Sequence, residues 1–366
     1  MSARACLGAK WILASFALLL AFAAPTQADD VIGSDGIRGA GSSFAYPLIS
    51  RWSRDFRAFQ ARGGEYSTAD GGLDDALPTT ALDYQPTGSL AGTVSIKQRS
   101  VDFAAADVPL TATELKRSSL VQFPILMGGI VVAVNIAGVK SEQLRLSGAV
   151  LADIFAGSIA HWNDPAIAAL NPQVTLPAAK ITVVHRSDGS GTTANFTRFL
   201  SGASNEWRTR LGTKLLIDWP VGVGVKGNRG VAETIQRTSH SIGYLDYTQA
   251  RQAALSLVQL QNPSGEFVPP NVASFQHAAA SARWDSTDGF NSSLNTDASA
   301  QAYPIVAAVY VLVPSNAQGR RTDAVLDLFE WALEKGQKSA AALGYVPLPE
   351  TLVKQIESHW ALTLRK

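Results

Sequence analysis

HRSDGSGTT, residues 185–193, joins a predicted strand to a predicted helix. The β-branched run at 181–184 follows Pro177 and is typical of a strand, whereas residues 193–200 carry apolar side chains at helical spacing. Unpaired backbone N–H groups and the positive end of the helix dipole favour an anion at such a helix start. Arg186 adds a planar fork of donors that matches two oxygens of one anion. The segment therefore predicts an oxyanion pocket; the alternative is a solvated turn with a Ser or Asp helix cap.

Asp188 is the unexpected member of this segment, because a carboxylate repels a fully deprotonated anion. Two roles are open to it. It can hold Arg186 through a salt bridge, or it can accept a hydrogen bond from a protonated oxyanion such as hydrogen phosphate. Sulfate at neutral pH carries no proton to donate, so the second role would discriminate between the two anions.

The N-terminus has the pattern of a cleaved secretory signal peptide. Arg4 and Lys10 precede an uncharged apolar run at 11–24, and a small-residue site ends at Ala28. The run is shorter than the ~20 residues that span a bilayer. We therefore expect residues 1–28 to be removed by cleavage after Ala28 and the mature chain to be periplasmic.

Composition excludes several classes of function. The single cysteine of the 366 residues, Cys6, lies in the predicted signal peptide, so the mature chain offers no disulfide, thiol nucleophile or cysteine-bound metal. The 31 Lys and Arg residues balance 30 Asp and Glu residues, which argues against a nucleic-acid or membrane-surface partner. The five histidines form no close metal-ligand pair, and we expect neither metal nor cofactor.

Strand-like and helical segments alternate along the chain, which predicts an α/β protein with mainly parallel sheets. The predicted strands are 129–136, 181–184, 241–247 and 305–313, and the predicted helices are 48–59, 149–156, 231–238 and 323–335. Residues 63–82 and 262–271 are predicted surface loops, because Gly, Asp, Thr or Pro dominate them and apolar periodicity is weak.

Two apolar segments, 123–126 and 303–306, are candidate hinges between two lobes. If they lie side by side, the chain enters a second lobe near residue 125 and returns near residue 303. The predicted domains are then lobe I, from 29–124 plus 304–366, and lobe II, from 125–303.

Three further segments contain residues suited to an anion site. Ser43 follows a glycine turn and either caps a helix or presents its hydroxyl and N–H to an anion, with Phe44 next to it. Ser89 stands where another helix would begin, and Asp107 follows a strand-like run as a turn former or a pocket acceptor. The glycine-rich segment 222–230 precedes a helix but lacks the spacing of a P-loop, so nucleotide binding is poorly supported.

Together these segments resemble the extracytoplasmic phosphate-binding proteins of ABC-type phosphate transporters, the PstS family. The resemblance extends in order over nearly the whole mature chain. It is carried by GAGSSFAYPL (39–48), YQPTGSLAG (84–92), VDFAAADVPL (101–110), QFPILMGGIVVAVNIAG (122–138), VVHRSDGSGTTANFTRFL (183–200), VGVGVKGNRGVAETIQ (221–236) and SIGYLDY (241–247).

This resemblance implies a two-lobed periplasmic-binding-protein fold of type II, the Venus-flytrap fold, with a hinge of two crossing segments. It implies a monomer that captures inorganic phosphate, with arsenate as a competitor, and delivers it to the membrane permease and ATPase subunits of an importer. Asp107 would accept the ligand's own O–H and so reject sulfate. The implied phosphate-binding residues are Ser43, Phe44, Ser89, Asp107, Arg186, Asp188, Ser190, Gly191 and Thr192.

Two other classes of function remain open from the sequence. A secreted phosphatase or hydrolase would use Ser190 as nucleophile with His185 or His240 as base, although the segment lacks the G-x-S-x-G elbow. A binder of another oxyanion would take sulfate, molybdate or a phosphorylated metabolite, and a secreted adhesin or scavenger would use the fold without a transporter.

Overall fold

The computed structural model describes residues 36–63, 81–292, 294, 299–316 and 319–364. Its strands are β1 (Gly36–Gly41), β2 (Ala81–Gln85), β3 (Phe103–Ala106), β4 (Leu120–Asn135), β5 (Arg145–Leu146), β6 (Thr182–Arg186), β7 (Val223–Val225), β8 (Ser241–Asp246), β9 (Ser256–Leu257), β10 (Gln259–Gln261), β11 (Phe267–Val268) and β12 (Val306–Pro314). The signal peptide predicted at 1–28 and most of the loop predicted at 63–82 lie outside the described residues.

The α-helices connect these strands and cover the sheet. They are α1 (Tyr46–Gln60), α2 (Ser89–Lys97), α3 (Ala112–Ser118), α4 (Gly148–Ala156), α5 (Pro165–Leu170), α6 (Gly191–Ala203), α7 (Asn205–Arg210), α8 (Gly227–Arg237), α9 (Tyr247–Gln252), α10 (Val272–Ala279), α11 (Arg320–Glu334), α12 (Gln337–Leu343) and α13 (Glu350–Thr363). The predicted strands and helices are all present, with ends that differ by a few residues except for β4, which begins nine residues earlier. The predicted loop at 262–271 includes β11, which pairs with β10.

One sheet runs through the described part of the chain in the order β2-β1-β3-β12-β4-β8-β6-β7, with β9 also paired to β4. Strands β2, β1 and β3 are parallel to one another, as are β8, β6 and β7. In the middle, β12 runs antiparallel to both β3 and β4, and β4 runs antiparallel to β8. The prediction of mainly parallel pairing is therefore wrong for the middle of the sheet, where two long strands return in the opposite direction.

Strand β4 belongs to both halves of this sheet. Its first part, up to Gly129, pairs with β12, and its second part, from Ile130, pairs with β8. Fifteen of its 16 residues are buried, as expected for a strand inside a covered sheet. Pro124 has no backbone N–H to donate to the strand ladder. It is accommodated because the register with β12 shifts beside it, as at a β-bulge, where the ladder does not require that hydrogen bond.

The two predicted hinge segments lie on neighbouring paired strands but are offset along them, since Leu126 pairs with Val309, Val306 pairs with Gly129, and Ile130 N–H donates to Ile305 O at 2.9 Å. The domain boundaries at 124/125 and 303/304 stay a prediction. Phe290, assigned to lobe II, packs edge-on against His359 of α13, with ring centroids 5.4 Å apart. Its carbonyl also accepts from the Tyr310 hydroxyl at 3.2 Å. Part of the 280–302 segment thus contacts elements assigned to lobe I.

No helix among the described residues is long and apolar enough to cross a bilayer. In the same part of the chain, no group of three or more His, Cys, Asp or Glu side chains is arranged to hold a metal ion.

Candidate functional site

The starts of four helices meet in the folded chain, at α1, α2, α6 and α8. Leu90 N–H of α2 donates to Gly189 O beside α6 at 3.0 Å. Asn228 N–H at the start of α8 donates to Ser43 Oγ, just before α1, at 3.2 Å. Because each helix start concentrates N–H groups and positive dipole charge, their convergence creates an environment that favours an anion.

Arg186 ends β6 and is buried, with 2% of its surface exposed. Its Nε donates to Asp188 Oδ1 at 2.6 Å, its Nη2 donates to Asp188 Oδ2, and its Nη1 donates to Asn228 Oδ1 at 2.7 Å. These contacts involve three of the five N–H groups that a guanidinium carries. Asp188 and Asn228 thus fix the guanidinium from two sides. These three hydrogen bonds do not use its two other N–H groups.

Asp188 takes the first of the two roles that the sequence left open, because its carboxylate pairs with Arg186 through both oxygens. Its Oδ1 also accepts the N–H of Gly227 at 3.2 Å, which ties it to the start of α8. Burial alone would raise the pKa of Asp188, but the hydrogen bonds and charge of Arg186 outweigh burial and hold the pKa below its usual range. Asp188 is therefore a carboxylate at neutral pH.

Asp107 follows β3 and is 3% exposed. Its Oδ1 accepts from the Ser42 hydroxyl and its Oδ2 accepts from Thr192 Oγ1 at 3.1 Å. Its own N–H donates to Ser89 Oγ at 3.2 Å. Burial raises the pKa of Asp107, while the Ser42 hydrogen bond and the Arg186 charge oppose that shift. An acceptor carboxyl thus stands among the hydroxyls of α2 and α6.

The structure brings the predicted site residues together. For two serines of the site, it also decides whether they cap a helix, the alternative to binding an anion. Ser42, and not Ser43, accepts the N–H groups of Phe44 and Ala45 ahead of α1, at 3.1 and 3.2 Å. The capping role considered for Ser43 is therefore wrong. Ser190 does cap α6, because its Oγ accepts Thr193 N–H at 3.1 Å.

The glycines at this site let the backbone lie close to neighbouring side chains. Gly88 precedes Ser89 with φ +93°, and a Cβ there would lie 2.5 Å from Asp188 Oδ2. A Cβ on Gly191 would lie 2.6 Å from Ser89 Oγ and equally close to Asp107 Cβ. A side chain at either position would push α2 away from α6.

Sequence reasoning missed three groups at this site: Ser42, Asn228 and Tyr244. Asn228 is buried within the glycine-rich segment 222–230, and its Nδ2 donates to Thr192 Oγ1 at 3.3 Å. The Tyr244 hydroxyl lies 2.6 Å from Thr193 Oγ1 and accepts Arg186 N–H at 3.3 Å. For Asn228, the only signal in the sequence was its place in the glycine-rich segment 222–230. An asparagine that bridges a helix start and a distant arginine has no distinctive spacing in sequence.

The contacts of Ser190 and the histidines do not assemble a nucleophile and base. His185 Nδ1 lies 3.2 Å from Arg186 O, and its ring stacks on Trp219 with centroids 4.9 Å apart. Burial lowers the pKa of His185. His185 thus contacts a backbone carbonyl and an indole ring.

Asp246, at the end of β8, predicts a pH dependence of stability. Burial raises its pKa to about 7, although hydrogen bonds from Gln249 and Asn228 oppose the shift, and the charge of Asp107 adds to it. Its pKa in the unfolded chain is about 3.9, so its contribution to stability is full at low pH and is lost as pH rises toward 7. Relative to Asp246→Asn, the wild-type free energy of unfolding should fall by up to about 1.4 kcal/mol per pH unit between pH 4 and 7.

Urea unfolding of both proteins at several pH values measures this difference. Parallel pH profiles for the two proteins would contradict the expectation. Asp285→Asn is the control, because Asp285 is exposed and its low pKa, held by hydrogen bonds from Thr287, predicts no loss of stability toward pH 7.

Comparisons with known proteins give the wider context of this site. A family model described as a PBP superfamily domain matches residues 24–335. The phosphate-binding protein PstS of Xylella fastidiosa strain Temecula1 is 44% identical over 326 residues, 89% of this chain and 85% of that protein. PstS of Pasteurella multocida is 41% identical over 344 residues, 94% and 93% of the two chains.

Solved structures support the same fold at lower identity. A phosphate binding protein from Stenotrophomonas maltophilia superposes with a TM-score of 0.63 at 17% identity, over 89% of this chain and 94% of the other. An ABC-type phosphate transport receptor from Vibrio cholerae superposes with a TM-score of 0.51 at 18% identity, over 86% and 100%. The two-lobed periplasmic-binding fold expected from the sequence is thereby confirmed.

Proposed function

Because this chain belongs to the PstS family of phosphate-binding proteins and carries a PBP superfamily domain, we propose that it captures inorganic phosphate and delivers it to an ABC-type importer. The observation that carries the proposal is the buried Arg186, fixed by Asp188 and Asn228 where four helices begin. A buried, dehydrated dianion needs many short hydrogen bonds, and this is where the chain concentrates donors.

The proposed phosphate contacts are those expected from the sequence. Arg186 supplies a charged fork, Gly191 supplies a helix-start N–H, and Ser43, Ser89 and Ser190 supply hydroxyls that accept N–H groups here and keep their own O–H to donate. The Phe44 N–H and the Thr192 hydroxyl donate to Ser42 Oγ and Asp107 Oδ2 in this structure, and on binding they would exchange those partners for the anion. Asp188 acts through Arg186, whose orientation it sets.

Asp107 is the proposed selectivity group. Each carboxylate oxygen offers two lone pairs, so the bonds from Ser42 and Thr192 leave capacity to accept a ligand O–H. Hydrogen phosphate supplies that proton, whereas sulfate meets the carboxylate with an unprotonated oxygen. Arsenate, which matches phosphate in shape and protonation, is the proposed competitor.

Calorimetric titration of the chain, stripped of bound anion, tests the function. Phosphate and then sulfate are added at equal ionic strength. We expect tight one-to-one phosphate binding and little or no sulfate signal. Comparable binding of both anions would make the protein a general oxyanion binder, and binding of neither would overturn the proposal.

A matched pair of glycines on α6 tests where the ligand binds. Gly191→Ala places a methyl group against Ser89 and Asp107, and such overpacking costs about 1–3 kcal/mol. We therefore expect the phosphate Kd to rise about 10- to 100-fold. Gly202→Ala has nothing within 4 Å of the new Cβ and should leave Kd unchanged. Equal Kd values for the two variants would contradict this location.

We also propose a location and partners for the protein. The relatives are named as binding proteins rather than enzymes, and we propose the same for this chain. It would act as a periplasmic monomer, exported by a signal peptide cleaved after Ala28, and dock on the permease of an importer driven by ATPase subunits.

A further inference from the structure

Asp246 is a fully buried carboxyl group to which the proposed phosphate contacts give no role. It ends β8 and caps α9, with Oδ1 accepting Gln249 N–H at 3.0 Å. Its Oδ2 accepts from Gln249 Nε2 at 2.6 Å. Burying a carboxyl is costly unless several donors compensate, so a purely structural cap would be served as well by an uncharged residue.

Gln249 joins this carboxyl to the segment that carries Ser43. Its Nε2 donates both to Asp246 Oδ2 and to the Ser43 carbonyl, at 2.6 and 2.9 Å. Both partners are acceptors, so the amide is satisfied only with its nitrogen facing them. Because both Asp246 oxygens act as acceptors toward Gln249, the Asp246 carboxyl fixes the direction in which the Gln249 amide points.

Asn228 joins the same carboxyl to Arg186. Its side chain hydrogen-bonds Asp246, and its Oδ1 accepts from Arg186 Nη1 at 2.7 Å. Since the guanidinium only donates, the Asn228 oxygen must face Arg186 and its nitrogen is directed to Thr192 and Asp246. The Asp246 carboxyl thus orients two side-chain amides: Gln249, which faces Ser43, and Asn228, which faces Arg186.

We propose that Asp246 and Gln249 are positioning residues for phosphate binding, which hold the Ser43 segment of lobe I against the Arg186 side of lobe II. The proposal rests on the proposed function and on the predicted lobes. Ser43 belongs to lobe I and Gln249 to lobe II, so the Gln249–Ser43 hydrogen bond forms only when the lobes are together. Its loss should therefore speed phosphate release more than it slows capture.

Gln249→Met tests this role, because methionine keeps the length of the side chain but donates no hydrogen bond. We expect the phosphate Kd to rise about tenfold, mostly through the dissociation rate constant measured by stopped flow. Gln259→Met is the matched control. Gln259 Nε2 donates to Glu142 O at 2.6 Å, within predicted lobe II, and its loss should leave the Kd unchanged.

Asp246→Asn gives a second route to the same contact. An asparagine amide turns one acceptor into a donor that opposes Gln249 or Asn228, so the Kd should rise by a similar factor. If both residues act through the Ser43 contact, the double variant should bind phosphate no more than about twofold more weakly than the weaker single variant.

The outcomes separate this inference from the function on which it rests. Failure of the wild-type chain to bind phosphate overturns both. Wild-type binding with an unchanged Kd in Gln249→Met and Asp246→Asn overturns the positioning role alone. Equal losses in Gln249→Met and Gln259→Met, or fully additive losses in the double variant, also overturn it.

Discussion

Arg186→Met is expected to raise the phosphate Kd by about 100- to 3000-fold. The substitution removes the charged donor fork and leaves the partly buried Asp188 carboxylate without its partner. Removing one partner of a buried ion pair costs about 3–5 kcal/mol. The remaining carboxylate would also repel the phosphate dianion. Titration calorimetry, or competition with a labelled phosphate, measures the change.

Two variants make this prediction specific. Arg210→Met removes an exposed arginine that pairs with Glu206 at 2.6 Å, and it should leave the Kd unchanged. Adding Asp188→Asn to Arg186→Met removes the unpaired carboxylate and should recover part of the lost affinity. A loss of less than tenfold for Arg186→Met would rule out a direct contact with the anion.

Asp107→Asn is expected to lower the ratio of sulfate Kd to phosphate Kd by about 100-fold or more. Sites built to pair a substrate hydroxyl reject analogues that lack it by ~10⁴-fold, because buried polar groups are then left unpaired. Asparagine can turn an N–H toward sulfate, so the repulsion that excludes sulfate disappears. Parallel titrations with both anions at equal ionic strength give the ratio.

Asp164→Asn is the control for this substitution. Asp164 caps α5 by accepting Ala166 N–H at 2.8 Å, and asparagine caps a helix equally well. The ratio of sulfate Kd to phosphate Kd should stay at the wild-type value in Asp164→Asn. An unchanged ratio in Asp107→Asn as well would remove the selectivity role of Asp107.

The helix starts of the site could be predicted because each depends on local sequence. Ser190 caps α6 and Ser89 opens α2 after a glycine, and both patterns are visible within a few residues. The pairing of Arg186 with Asp188 is also local, since the residues are two apart. Local sequence left two roles open for Asp188, and the folded contacts support the salt bridge.

What the sequence did not reveal depends on tertiary contacts. Ser42 replaces Ser43 as the group that orders the start of α1, because Ser42 also reaches Asp107, 65 positions away. Asn228 meets Arg186 across 42 positions. The antiparallel middle of the sheet was missed because β4 begins at Leu120, nine residues before the apolar run that predicted it, and pairing direction leaves no mark on composition.

Strand β4 gives the protein a continuous backbone between its two halves. Its hydrogen bonds pass from β12 to β8 between Gly129 and Ile130, with no intervening loop. If the angle between the two halves changes, we expect the twist of β4 and its paired strands to change with it. The backbone hydrogen bonds on both sides of residue 129 should then persist during the motion. Slow deuterium exchange along Leu120–Asn135, with or without ligand, is the signature of such a torsional joint.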